Sequence, residues 1–439
     1  MKVIRNCKIW ILGVLLIKGG LDSFAQNVAF TNDICVTDKV YMLSDTVNTL
    51  FVEPIIKRWR PYHDVVRFAG NVSYIKRIGR MASVKPKVGE SSYMAVSLVN
   101  TDEFRTLKSD TVRVLVGEKG AGKEEVKVQI LGDSYTDGAF FRDALIDKGY
   151  VPHLQLIGLR KVRNADNQYD EGRGGWTIRK YFEIPKREDT PYHGYMQPDG
   201  AYRYWGSTAF WKNCYRVQNG ELKGFDWKYN CGRYERCLSK YDSKTGYLIH
   251  PQKGDLMFDN QRNAYRVFDG HKWKETEIDE TAWHFNYGKY LDMWELDKPD
   301  IFVMLLGLND YRDSLKADYG PWNRRVEEIK RSYSQAVPQG KFVVLIPCST
   351  CGLLDNQRGD FTLRQNAAMW QLRQNIIRTF DGRESEGIYV VDMGITIDNE
   401  NGYRKNAEGL QTGNPHPYPN YPAMGVPLAA FIQYYRDDK

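Results

Sequence analysis

Three residues in this chain could perform chemistry together. Ser134 and Asn309 each follow an apolar run, and His416 lies near the end of the 439-residue sequence. A serine hydroxyl becomes a nucleophile when an imidazole accepts its proton, and a side-chain amide can donate to the oxyanion of a tetrahedral intermediate. These residue types therefore indicate acyl transfer through a serine nucleophile.

The apolar runs beyond residue 125 predict the sheet that would position these residues. Near-continuous apolar runs are typical of parallel strands that helices cover on both faces. The predicted strands are 126–131, 154–159, 301–306, 342–346 and 388–391, and the predicted helices are 140–148, 323–336, 362–379 and 423–435. The sequence thus predicts an α/β fold with a five-stranded parallel sheet. Ligands bind outside the carboxyl ends of such strands, so we expect the serine, the asparagine and the histidine to meet there, with a helix N-terminus facing them.

Two other regions have a different character. Short alternating runs separated by Gly, Asn, Asp and Pro predict an N-terminal β-sandwich domain over 26–122, and the second domain then covers 123–439. The second domain contains an insertion at about 180–298 that is rich in aromatic residues; the chain has 29 Tyr and 11 Trp. Exposed rings would provide flat contact surfaces for sugars, whereas buried rings would only fill a core.

Residues 1–25 resemble an export signal. Three basic residues precede an apolar run at 9–17, and Ser23-Phe24-Ala25 follows as a small-residue cleavage site. The run is too short to span a bilayer, and no later segment approaches the ~20 apolar residues that a membrane helix needs. We therefore expect a secreted or periplasmic protein without a membrane span.

Composition excludes several classes of function. Hydrophobic residues make up 42% and charged residues 27% of the chain, as in an ordinary globular protein. The net charge of +7 is not concentrated in a Lys/Arg stripe, so we expect no nucleic-acid partner. No His or Cys pattern has metal-ligand spacing, and we expect neither a metal nor a cofactor. The oligomeric state is not predicted.

Cysteines beyond the export signal are even in number. Export places them in an oxidising compartment, where an even number suggests disulfides, and we expect a local bridge between Cys348 and Cys351. They are Cys35, Cys214, Cys231, Cys237, Cys348 and Cys351.

Four segments resemble the motif blocks of the SGNH (GDSL-type) hydrolases, in the order found in that family. They are Gly132-Asp133-Ser134-Tyr135, with Tyr where Leu is commoner, Glu171-Gly172-Arg173-Gly174-Gly175-Trp176-Thr177, Gly307-Leu308-Asn309-Asp310 and His416-Pro417. The resemblance covers about residues 125–436. It implies a three-layer α/β/α, flavodoxin-like fold and ester hydrolysis without a cofactor.

The resemblance also implies a role for each matching residue. Ser134 would be the nucleophile and His416 the base. The N–H groups of Ser134 and Gly175 and the side-chain amide of Asn309 would form the oxyanion hole. We further expect Trp176 and Asp310, which stand in the same segments, to contact the substrate.

One position departs from the family pattern. Gly413 stands three residues before the histidine, where the family usually has an Asp that orients the imidazole. Asn414, Asp392 or a backbone carbonyl could hold the ring instead, and a Ser-His dyad is the interpretation we favour.

The sequence therefore leads to an exported serine esterase that removes acetyl or similar acyl groups from a carbohydrate. Sugar rings could stack on tryptophans of the motif segment and the insertion. These are Trp176, Trp205, Trp211 and Trp227. Two alternatives stay open: a lipase or thioesterase of the same fold, and a non-catalytic glycan-binding protein with a degenerate site.

Overall fold

The computed structural model describes most of the chain. The described residues are 34–56, 64–78, 80–89, 92–215, 231–350, 363–409, 415–418 and 421–436. Several predicted features therefore lie outside the described residues: the export signal, Trp227, Cys351, Gly413 and Asn414.

The first seven strands form two sheets. They are β1 (Lys39–Leu43), β2 (Asn48–Phe51), β3 (Asp64–Gly70), β4 (Tyr74–Ile78), β5 (Met81–Val84), β6 (Ser92–Asn100) and β7 (Arg105–Gly117). The strand orders are β1-β7-β6-β3 and β2-β5-β4. Apolar side chains from both sheets, such as Met42, Val84 and Val96, share one buried cluster. The alternating runs of the N-terminal region thus form strands, because alternation lets one face of each strand join a core.

The remaining strands begin at Val126. They are β8 (Val126–Gly132), β9 (Leu154–Ile157), β10 (Arg160–Lys161), β11 (Tyr169–Gly172), β12 (Met196–Pro198), β13 (Arg203–Ser207), β14 (Asp255–Asp259), β15 (Ala264–Phe268), β16 (Trp273–Thr276), β17 (Trp283–Phe285), β18 (Ile301–Leu305), β19 (Lys341–Ile346) and β20 (Ile388–Asp392). The chain is accordingly a mixed α/β protein with several sheets.

The large sheet has seven strands, where the sequence predicted five. Its order is β10-β11-β8-β18-β19-β20, and β9 also pairs with the first half of β8. All pairings are parallel except the one between β10 and β11. The two strands that were missed are short and carry charged residues such as Arg160 and Glu171, so no apolar run marks them. The five predicted strands are all present and mostly buried.

The α-helices are mostly short. They are α1 (Ser134–Asp137), α2 (Thr208–Cys214), α3 (Glu235–Leu238), α4 (Tyr287–Trp294), α5 (Leu308–Tyr311), α6 (Gly320–Ala336), α7 (Leu363–Phe380), α8 (Tyr421–Met424) and α9 (Val426–Tyr435). Single turns of other helix types lie at Asp143–Asp147 (π), and at Ile178–Phe182, Cys231–Tyr234, Glu280–Ala282, Glu384–Glu386 and Gly394–Thr396 (3-10). Within the described part of the chain, no helix has the length and apolarity of a membrane span.

The helix predicted over 140–148 is wrong in extent, because the structure has only the π turn Asp143–Asp147 there. The helix that faces the carboxyl end of β8 is α1, which begins at Ser134 itself and ends after one turn. Gly138 follows it, and Ala139 takes a left-handed φ of 55° that breaks the helical path. A four-residue helix has only a small dipole, so we assign it little electrostatic effect at the site.

The N-terminal sheets pack directly on the rest of the chain. Helix α9 lies against β1 and β7. Ion pairs join Lys39 to Glu384 and Arg80 to Asp398 across the same boundary. Because apolar packing and charge pairs both cross this boundary, the two regions are fixed to one another. The boundary between domains at 122–123 stays a prediction.

The aromatic residues that the structure describes in the insertion are mostly part of a buried core. Trp205 and Trp211 are 6% and 0% exposed, and Trp211 stacks on Tyr241 with ring centroids 4.0 Å apart. Neither tryptophan is placed to stack on a sugar, so that expectation is wrong for both. Burying a large ring is favourable in itself, and this explains why the residues are aromatic without any ligand.

The cysteine side chains that the structure describes are in two states. Cys214 is disulfide-bonded. Cys35, Cys237 and Cys348 are free and buried. The predicted local bridge at Cys348 is therefore wrong.

Candidate active site

Ser134 stands at a sharp turn from strand to helix. Strand β8 ends at Gly132, and the Asp133 carboxylate caps α1 by accepting the Tyr135 N–H at 3.0 Å. A Cβ added at Gly132 would lie 2.1 Å from the Thr136 hydroxyl and 2.8 Å from the Leu305 carbonyl oxygen. Only glycine permits so close an approach of helix and strand. The turn leaves Ser134 half-buried at the carboxyl end of the sheet.

The structure brings His416 to Ser134. The distance from Nε2 of His416 to Oγ of Ser134 is 2.8 Å, although the two residues are 282 positions apart in sequence. This is a normal hydrogen-bond distance, and it is the distance that proton transfer to a general base requires. The pair can therefore act as an activated nucleophile.

Three aromatic rings surround the imidazole. Its centroid lies 5.5 Å from that of Tyr135, 5.4 Å from that of Phe140 and 5.7 Å from that of Tyr418. The pKa of His416 is lowered to about 4, mainly by burial and next by the charge of Arg312, while the charge of Asp137 opposes the shift. The imidazole is therefore neutral at neutral pH, which is the form that accepts a proton.

Asp392 is not placed to orient His416. Its carboxylate forms a buried ion pair with the guanidinium of Arg373 and accepts the Ile395 N–H at 3.1 Å. A buried carboxylate stays with the cation that compensates its desolvation, so Asp392 stabilises the end of β20 instead. The other side-chain candidate, Asn414, lies outside the described residues.

The loops that carry the predicted oxyanion donors start at one level of the sheet. Gly132 of β8 is in register with Gly172 of β11 on one side and with Leu305 of β18 on the other. Gly175 follows with a φ of +74°, a conformation that favours glycine, and its position is exposed. Register therefore sets these loops side by side.

Two predicted oxyanion donors are available. Within the described part of the chain, the backbone N–H groups of Ser134 and Gly175 donate to no protein acceptor. Unpaired N–H groups at the rim of a site can bind a developing negative charge. Their availability fits the role that the sequence assigned to them.

Asn309 lies beside the loop at 173–177, which contains Gly175 and is called the Gly175 loop below. Its Nδ2 donates to the Trp176 carbonyl oxygen at 3.1 Å, and its Oδ1 accepts from Arg312 at 3.3 Å. An amide nitrogen carries two N–H groups, so one remains for an oxyanion. The structure thus gives Asn309 both a loop-holding contact and a spare donor.

The other two predicted substrate contacts have structural roles. Trp176 is 5% exposed and packs against Tyr181 and His193, so it presents no face for a sugar. Asp310 accepts the Ile178 N–H at 3.1 and 3.3 Å, and burial raises the pKa of Asp310 to about 6. These contacts fix the segment that follows Gly175, and substrate contact by Trp176 and Asp310 stays a prediction.

Sequence reasoning missed the residues that support this loop. The side chains of Arg173 and Glu171 form a fully buried ion pair at 2.8 Å. The backbone N–H of Arg173 donates to the Gly132 carbonyl at 2.9 Å. The Tyr181 hydroxyl lies 2.8 Å from the same carbonyl oxygen and 2.6 Å from that of Glu171. No apolar run marks this segment as a strand, so the sequence did not indicate that the two charges are buried together.

A charged cluster borders the site next to α1. Arg160, Arg163 and Arg233 surround Asp137, and their charges hold the pKa of Asp137 below its usual value against the effect of burial. Arg233 comes from the aromatic insertion and also pairs with Asp170 at 2.6 Å. The insertion is therefore tied to the helix that carries Ser134. Among the described residues, no group of three His, Cys, Asp or Glu side chains is arranged to hold a metal ion.

Comparisons with known proteins give only distant likenesses. No family model and no curated protein matches the chain. Similar solved structures include a carbohydrate esterase of family 3 from Talaromyces cellulolyticus, with a TM-score of 0.33 and 12% identity over 71% of this chain and 99% of that chain. A family two carbohydrate esterase from Cellvibrio japonicus has a TM-score of 0.28 and 11% identity over 94% and 98% of the two chains. A possible lipase from Chitinophaga pinensis DSM 2588 has a TM-score of 0.25 and 14% identity over 68% and 80%.

Identities and TM-scores as low as these assign neither a family nor a substrate to the chain. What the site can do therefore follows from its own geometry.

Proposed function

We propose that the protein is an exported serine esterase of the SGNH type that hydrolyses O-acyl esters of a carbohydrate, most simply acetyl esters. The observation that carries the proposal is the 2.8 Å contact between Ser134 Oγ and His416 Nε2 at the carboxyl end of the sheet. Four motif segments in the order of that family agree with it.

The reaction would proceed in two halves. Ser134 Oγ attacks the acyl carbon while His416 Nε2 takes the hydroxyl proton, and the carbonyl oxygen becomes an oxyanion. The N–H groups of Ser134 and Gly175 and the amide of Asn309 stabilise that oxyanion. The ester C–O bond then breaks, and the sugar alkoxide leaves with the proton from His416. A water molecule then attacks the acyl carbon while His416 takes one of its protons. The bond to Ser134 Oγ breaks, His416 returns the proton to that oxygen, and the acid is released.

A polar substrate suits the charged rim of the site. Arg163, which pairs with Asp137 of α1, and Arg312, which donates to Asn309, have side chains that are 39% and 31% exposed. Charged groups of this kind bind hydroxyl-bearing ligands better than long acyl chains, which need an apolar channel. The export signal that the sequence predicts at residues 1–25 would place the substrate outside the cytoplasm.

The test compares ester hydrolysis by the wild type, Ser134→Ala and Ser109→Ala. Ser109 is exposed on β7 and its hydroxyl bonds to that of Ser97, so its variant controls for loss of a serine hydroxyl elsewhere. We expect hydrolysis of an aryl acetate, and release of acetate from an O-acetylated oligosaccharide, to fall by about 10⁴- to 10⁶-fold in Ser134→Ala. The Ser109→Ala rates should match those of the wild type.

Each other outcome identifies a different protein. Faster hydrolysis of an aryl palmitate than of the acetate would favour a lipase. A wild type that binds the oligosaccharide but releases no acid would favour a non-catalytic glycan-binding protein. Equal rates in the wild type and Ser134→Ala would exclude Ser134 as the nucleophile.

A further inference from the structure

We propose that Tyr135 is a positioning residue that holds His416 against Ser134 through the backbone carbonyl of Pro415. Tyr135 directly follows the serine, and its hydroxyl donates to the Pro415 carbonyl oxygen at 3.3 Å. Its ring lies edge-on to the imidazole at 89° with centroids 5.5 Å apart. One side chain thus links the helix of the nucleophile to the loop of the base. For its kinetic readout, the inference rests on the proposed esterase function.

The Tyr135 hydroxyl is buried and has a partner on each side. The thiol of Cys348 lies 3.1 Å from the hydroxyl oxygen, while the hydroxyl hydrogen points to Pro415. Burial keeps the pKa of Tyr135 well above its ordinary value, so the group stays a donor. A buried hydrogen bond of this kind cannot be replaced by one to bulk water, so losing it leaves the Pro415 carbonyl without this donor.

The backbone is held on both sides of the histidine. The Pro415 carbonyl belongs to the peptide that ends at the His416 nitrogen, and Tyr135 holds it. On the other side, the Tyr418 N–H donates to the His416 carbonyl at 2.8 Å. Fixing both peptides limits how far the imidazole can move from Ser134.

The rings restrict rotation of the imidazole. Phe140 packs on the imidazole and also on the Tyr135 ring, with centroids 5.4 and 5.6 Å away. Tyr135 is itself fixed, because its N–H is held by the Asp133 carboxylate at 3.0 Å. A leucine, which the family resemblance makes the commoner residue here, would provide an apolar wall but could not bond the carbonyl. The hydroxyl is therefore the specific contribution of this tyrosine.

The test uses Tyr135→Phe, which keeps the ring and removes only the hydroxyl. We expect kcat on an aryl acetate to fall by about 10- to 100-fold, because a small displacement of a base has an effect of this size. KM should change by less than about two-fold, since the tyrosine touches no substrate. Tyr135→Leu should lose at least as much, since it removes the ring as well.

A second readout does not depend on turnover. The charges that act on His416 come from Arg312 and Asp137, and Tyr135→Phe changes neither. A looser loop admits water, so the pKa of His416, followed by NMR, should rise from its depressed value toward the ordinary 6.5. The direction is upward because rehydration stabilises the charged imidazole.

Two variants serve as controls. Tyr333 is another buried tyrosine, whose hydroxyl donates to the Pro299 carbonyl at 3.0 Å near the start of β18, at the opposite end of the sheet. Tyr333→Phe should lower stability but leave kcat and the His416 pKa unchanged. Cys348→Ala removes the thiol and keeps the bond to Pro415, so its kcat should stay near that of the wild type.

The outcomes separate this inference from the proposed function. If Tyr135→Phe is folded and matches the wild type in both kcat and the His416 pKa, the positioning role is refuted. If the wild type hydrolyses no ester but the His416 pKa rises in Tyr135→Phe alone, the proposed function fails and the positioning role stands.

Discussion

Replacement of Asn309 by Ala tests the oxyanion hole most directly. The Asn309 amide has two N–H groups, of which one holds the Trp176 carbonyl at 3.1 Å and the other is available to an oxyanion. Losing an oxyanion donor lowers kcat by about 100- to 1,000-fold, or roughly 3 to 4 kcal/mol in the barrier. Losing the bond to Trp176 adds about 1 kcal/mol to the cost in stability.

Asp310→Ala is the matched control for the loop-holding contact. Asp310 holds the same loop by accepting the Ile178 N–H at 3.1 Å, but a carboxylate offers no donor to an oxyanion. If Asn309 acts only by holding the loop, the two variants should lose similar activity. If it also binds the oxyanion, Asn309→Ala should lose at least about ten times more kcat than Asp310→Ala.

The assay is steady-state hydrolysis of an aryl acetate, with urea denaturation to measure the stability of each variant. We expect KM to stay within about three-fold of the wild type in Asn309→Ala, because the lost interaction forms only in the transition state. A kcat within about five-fold of that of Asp310→Ala would remove Asn309 from the oxyanion hole.

Two further predictions follow from the surroundings of the site. The acid limb of kcat/KM should lie near pH 4, well below the ordinary histidine value of 6.5, because activity is lost as pH falls through the depressed pKa of His416. Asp310, whose pKa is about 6, could also produce a limb near 6.5, and Asp310→Asn removes that group. A limb near 6.5 that persists in Asp310→Asn would therefore contradict the depressed pKa of His416. Trp176→Ala should lower the free energy of unfolding in urea by about 3 to 5 kcal/mol, because it empties a buried ring site; unchanged stability with a raised KM for an acetylated oligosaccharide would restore Trp176 as a sugar platform.

Local patterns in the sequence predicted the strands that carry the chemistry. Ser134 and Asn309 follow β8 and β18, whose apolar runs are unmistakable because both faces of those strands are buried. Neighbouring parallel strands bring their following loops to one edge, so the meeting of these loops could be anticipated from the sequence alone. The contact of His416 with Ser134 was anticipated from the order of the motifs.

Tertiary structure alone decided the partners of the charged and aromatic residues. Asp392 ends strand β20, where an orienting acid could stand, but packing pairs its carboxylate with Arg373. Arg233 pairs with Asp137, which is 96 positions away in sequence, and no local pattern predicts that pair.

Strand and helix formation depend on the nearest few residues, and these are written in the sequence. The choice of partner for a buried charge, or of a face for a ring such as Trp176, depends on which distant segments come to lie beside it. That choice is made only when the whole chain has packed.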